Sequence, residues 1–89
     1  MIEFDWDHAN KDHLARHQVS PAEFEQAMLN EPEDLNYESA TGEDRFHSVS
    51  ITDSGRLWFM VWTIRGEKIR AVTAFNAPGS VKQEWEKRR

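Results

Sequence analysis

Cysteine is missing altogether, and 89 residues include only four glycines and three prolines. Without cysteine there is no disulfide scaffold, no thiolate nucleophile and no thiolate metal site. So few glycines leave no Gly-rich loop to cradle phosphates, and no Gly-x-Ser-x-Gly elbow occurs. Nucleotide-dependent and metal-dependent enzymes are therefore disfavoured, and no cofactor is expected. The longest unbroken apolar run, Leu57 to Trp62, falls far short of the roughly 20 residues that span a bilayer. The opening residues, Met1-Ile2-Glu3-Phe4-Asp5-Trp6-Asp7, are acidic where a secretory signal would be basic. A cytoplasmic protein with no membrane partner is the expectation.

Charged residues make up 30 % of the chain and apolar ones 38 %, with four Trp, five Phe and one Tyr. That is too aromatic for a disordered chain, and the length suits one domain over residues 1–89. The four tryptophans exceed what so small a core needs, which places some of them at an interface. Charge is split along the chain. Residues 1–44 carry two basic side chains, Lys11 and Arg16, against twelve acidic ones, a net of −10; residues 45–89 carry nine basic and four acidic, a net of +5. Either the halves neutralise each other within one fold, or one surface meets a polyanion and another a basic partner.

The pattern predicts an α+β fold. Ile2 to Trp6 alternates apolar and acidic residues, a half-buried strand with Ile2, Phe4 and Trp6 inward. Asp7 can cap a helix over residues 8–17. Ser20-Pro21-Ala22-Glu23 is a capping box with proline at the first helical position, and Phe24, Ala27 and Met28 form the buried stripe behind it. Asn30-Glu31-Pro32 ends that helix. An acidic, turn-rich segment follows, with at most a short edge strand from Leu35 to Glu38. Arg45 to Thr52 alternates, with His47, Val49 and Ile51 on one face and Phe46 on the other. Asp53-Ser54-Gly55 is a hairpin turn. Leu57 to Ile64 is apolar on both faces and reads as the central strand. Arg65-Gly66-Glu67 turns the chain into a strand from Ile69 to Phe75, Pro78-Gly79 breaks it, and Val81 to Arg89 suits a short amphipathic helix. The order is strand, two helices, antiparallel meander, helix.

His13 and His17 stand four apart, a spacing that lets two histidines share a metal ion. The zinc-protease pattern needs glutamate directly after the first histidine, and Leu14 stands there, so a surface pair is the expectation. A second set, Arg45, His47, Arg65 and Arg70, lies on or beside the predicted sheet. RNA is cut without metal when its 2′-hydroxyl attacks the neighbouring phosphate. Such a site needs a proton-transfer group with a pKa near neutrality, which histidine supplies, and fixed cations for the phosphorane, which arginine supplies bidentately. Aromatic side chains alongside can stack on unpaired bases. The alternative is that these arginines are solvated residues of a strand edge.

The sequence resembles the BrnT family of toxins from type II toxin–antitoxin systems over nearly its whole length. The resemblance is carried by Phe4-Asp5-Trp6-Asp7 with Lys11, by Leu14-Ala15-Arg16-His17-Gln18-Val19-Ser20 and by Gly42-Glu43-Asp44-Arg45-Phe46. Gly55-Arg56-Leu57, Thr63-Ile64-Arg65-Gly66-Glu67 and Lys68-Ile69-Arg70 complete it. It implies a RelE-like fold, metal-independent endoribonuclease activity that arrests translation, and neutralisation by a BrnA-type antitoxin. Operator DNA is then reached only indirectly, through the antitoxin. Lys11, His17, Arg45, Arg65 and Arg70 match the family pattern; His47 is added on chemistry alone. His17 or His47 is the expected proton-transfer group, and Arg45, Arg65 and Arg70 are the expected phosphate clamps. Lys11, Arg45 and Arg70 are assigned to RNA binding, with a structural anchor for the first helix as the alternative for Lys11 and His17.

The C-terminal part departs from the family pattern. Phe75 stands where arginine is expected, Val81 where an acidic residue is expected, and Trp85 in place of tyrosine. Gln18 replaces the glycine that usually follows the histidine. Loss of an arginine facing the phosphate costs about 10²–10³ in rate. The competing expectation is thus a toxin fold that has become a protein-binding module, with Phe75 and Trp85 as partner-binding residues.

Overall fold

A computed structural model describes residues 2–39 and 42–88. Two helices, α1 (His8–Ala15) and α2 (Pro21–Leu29), precede four strands, and α3 (Gly79–Lys87) follows them. The strands are β1 (Glu33–Glu38), β2 (Arg45–Ile51), β3 (Leu57–Arg65) and β4 (Lys68–Asn76). They form one antiparallel sheet in the order β1-β2-β3-β4, the meander that the turn signals predict.

The local chemistry explains the element starts. Asp7 caps α1 by accepting from the Asn10 N–H at 3.1 Å, while Asn10 Oδ1 accepts from the Asp7 N–H at 2.9 Å. Ser20 and Glu23 make the same reciprocal box for α2, with Pro21 at its first position. Leu14, Val19, Phe24, Ala27 and Met28 then bury against Trp58 and Met60 of β3 and Ala71 and Ala74 of β4.

Ala71 and Ala74 share the core face although they are three positions apart, an odd spacing that alternation would put on opposite faces. A bulge causes this: Val61 pairs with Thr73 but Trp62 pairs with Ala71, so Val72 is the extra residue of β4. On the opposite face the same bulge brings Arg70, Thr73 and Phe75 into line, paired with Thr63, Val61 and Phe59.

Several expectations are corrected. The N-terminal segment is not a strand: Phe4 makes one isolated parallel bridge with Ile69. The Asp5 N–H donates to Ile69 O at 2.8 Å and the Ile69 N–H to Glu3 O at 2.9 Å, and two residues later Asp7 already begins α1. Phe4 and Trp6 do turn inward, edge-on to Phe24, but Ile2 is exposed. The first helix ends at Ala15 rather than residue 17, because Gln18 adopts a left-handed φ of 62°. The last helix starts at Gly79, two residues earlier than expected, and Arg89 lies outside the described residues. The tryptophans do not form an exposed surplus. Trp58 is fully buried and Trp6, Trp62 and Trp85 are half-buried, with Trp6 donating to Glu25 and Trp62 to Ser48. No helix among the described residues is long and apolar enough to cross a membrane.

Candidate active site

The face of the sheet turned away from the main core carries Arg45 and His47 from β2, Phe59 and Thr63 from β3, and Arg70, Thr73 and Phe75 from β4. At one end of this face lies an open cleft of about 250 Å³. It is lined by Arg45, Arg65 and Arg70, by Thr63, by Glu43 just ahead of β2, and by His13 of α1. Three successive strands thus each contribute one arginine to a single hollow.

The arginines differ in how firmly they are held. Arg45 and Arg65 are 45 % and 57 % exposed and share the Glu43 carboxylate, at 3.7 Å and 2.9 Å. Both keep N–H groups free to meet a phosphate, since a guanidinium has five and the carboxylate takes few of them. Arg70 is only 13 % exposed, with one terminal nitrogen 3.5 Å from Asp5 and the other 3.0 Å from Asp7. It clamps the N-terminal segment to β4 while forming part of the cleft wall. The Asp7 carboxyl is held below its ordinary range, first and most strongly by the Asn10 backbone N–H; lost solvation opposes this, and Arg70 and the Ala9 N–H add to the lowering.

His13 matters more than its sequence context suggests. Its ring is half-buried rather than a bare surface group, and its Nε2 lies 3.0 Å from Thr73 Oγ1, across 60 positions of sequence. The only sequence signal for it is the helical spacing to His17, whose ring lies 5.6 Å away. Among the described residues no third metal-binding side chain joins this pair. Glu43 has no sequence signal for chemistry of its own, being one of twelve acidic residues in the first half of the chain.

The other expected site residues lie outside the cleft lining. His17 is exposed and packs against Phe75 at 5.9 Å, Phe75 against Phe59 at 5.1 Å, and Phe59 edge-on to His47 at 5.6 Å. This strip of rings crosses the sheet next to the arginines. His47 is tied to Glu38 on the edge strand at 2.9 Å. Lys11 is exposed and lines a different groove, with Gln18, Pro21 and Glu23, on the far side of α1. Trp85 and Val81 are on α3, which packs on β2 and whose Arg88 reaches the Asp34 carbonyl at 2.9 Å.

Chemically, the cleft offers paired guanidiniums, a carboxylate and an imidazole around one open hollow, with flat rings beside it. Comparison with curated proteins finds no match. A family model described as the ribonuclease toxin BrnT of type II toxin–antitoxin systems matches residues 6–78, a span that includes every cleft residue, and the chain therefore belongs to the BrnT ribonuclease toxin family.

Proposed function

We propose that this chain is an active, metal-independent endoribonuclease toxin on a RelE-like fold, working in the cytoplasm to arrest translation and held in check by a BrnA-type antitoxin. One observation carries this: arginines from three adjacent strands meet a histidine around one open cleft. Fixed guanidiniums stabilise the charge that develops on a phosphorane without help from a metal. Arg45 and Arg65 are the phosphate contacts, Arg70 is the fixed part of the wall, and the rings of Phe59, Phe75 and His17 supply flat faces for unstacked bases. An antitoxin that reached operator DNA would bring the complex to its own promoter.

A second reading draws on Phe75. Its ring lies on Phe59 at 5.1 Å in the place where the family pattern has arginine. An apolar pair there suits a protein contact, and with half-buried Trp85 on α3 it would make the chain a binding module in the antitoxin complex.

Cleavage of a mixed RNA by the purified protein in EDTA decides between them, with Phe75→Arg assayed alongside. Wild-type cutting is the expected result. Cutting by Phe75→Arg alone would identify a decayed active site. Silence from both folded proteins, with an antitoxin still bound tightly, would favour the binding module.

A further inference from the structure

We propose that Glu43 and His13 are the acid–base pair of the cleft, with Glu43 deprotonating the RNA 2′-hydroxyl and His13 protonating the departing 5′-oxygen. The proposal rests on the ribonuclease function proposed above and names the groups that move the protons.

Transfer of this kind needs a base and an acid on opposite sides of one phosphorus atom, with cations between them. The sheet order delivers that layout. Glu43 lies ahead of β2, Arg45 is on β2, Thr63 on β3 and Arg70 on β4, and His13 follows on α1, which packs against β4. The carboxylate and the imidazole therefore stand on opposite lips, and the arginines line the space between them.

Both groups are fixed by contacts that leave them reachable. Thr63 Oγ1 donates to the Asp44 carbonyl at 2.6 Å, tying the loop that carries Glu43 to the cleft floor. Arg65 and Arg45 orient the carboxylate, whose side chain is 33 % exposed. Thr73 Oγ1 orients the His13 ring at 3.0 Å, and the bulge at Val72 is what turns Thr73 to this face. By contrast, His47 is engaged with Glu38 and lies outside the cleft lining.

The step balances without a further reactant. The 2′-oxygen gives its proton to Glu43 and bonds to phosphorus, the bond from phosphorus to the 5′-oxygen breaks, and that oxygen takes a proton from the imidazolium. The products are a 2′,3′-cyclic phosphate and a free 5′-hydroxyl.

The test compares wild type, Glu43→Gln and His13→Gln on a short RNA, on its 2′-O-methyl analogue and on an RNA with sulfur in place of the scissile 5′-oxygen. Wild type should leave cyclic phosphate ends. Each variant should lose about 10²–10⁴-fold in cleavage rate yet hold the uncleavable analogue with nearly unchanged affinity, which also shows that it is folded. On the sulfur substrate, whose leaving group needs no acid, His13→Gln should recover and Glu43→Gln should not. The assignment is overturned if wild type cleaves and either variant cleaves RNA within tenfold of it, or if the sulfur substrate rescues both variants equally. A wild type that binds RNA without cutting it would overturn the ribonuclease function itself, a separate outcome.

Discussion

At the scale of the residue, the two carboxylates on Arg70 show how charge is committed to architecture next to the chemistry. Asp7 caps α1 and binds Arg70 at 3.0 Å, and both contacts favour its ionised form. A carboxyl lowered in the folded state contributes stability above its ordinary value of 3.8, and loses that contribution as the pH falls through the lowered folded value. Asn at this position keeps the cap acceptor but carries no charge. Urea denaturation at about pH 5 and about pH 3 should therefore show a smaller acid loss for Asp7→Asn than for wild type. An equal loss in both would place the acid sensitivity elsewhere. Arg45 and Arg65 belong to a different class, since exposed ion pairs of their kind contribute only about 0–1 kcal/mol. Their sharing of Glu43 is better understood as preorganisation than as stability.

At the scale of the element, α1 ends in a Schellman arrangement built on a residue poorly suited to it. The Val19 N–H donates to Leu14 O at 3.0 Å and the Gln18 N–H to Ala15 O at 2.9 Å, with Leu14 and Val19 buried together. Gln18 takes the left-handed position at φ 62°, which costs roughly 1–2 kcal/mol for a residue with a Cβ. Gly gives back about 0.5–1 kcal/mol through its freer unfolded chain. Gln18→Gly should thus raise stability by up to about 1 kcal/mol, read as a higher urea midpoint; a drop would mean that the Gln18 side chain does more than cap. The helix starts, the meander and the face of β2 are legible in the sequence because caps, turns and alternation are local signals. The bulge is not. Strict alternation puts Arg70 and Phe75 on opposite faces, five positions apart, and only the unpaired Val72 brings them together. His13 stays hidden for the same reason, since its partner Thr73 is turned to this face of the sheet only by that bulge.

At the scale of the whole molecule, a net charge of −5 has to hold a polyanion. The resolution is spatial: Arg45 and Arg65 stand half-exposed at the cleft, while the acidic surplus of the first half is partly consumed as caps and clamps at Asp5, Asp7 and Glu23. RNA affinity should fall with added salt, and Arg45→Ala and Arg65→Ala should each flatten the log–log slope by about 0.7 for every phosphate left without its cation. An unchanged slope would remove them from the interface. The same clamps bear on how the chain is born. Glu3 and Asp5 meet Ile69, Asn10 meets the Ala71 carbonyl, and His13 meets Thr73, all more than 55 positions apart. A ribosome releasing this chain in order must deliver nearly all of it before the first helix finds its seat. Until β4 emerges there is no cleft, so on the proposed function an unfinished chain holds no assembled weapon against the RNA of the cell that is making it.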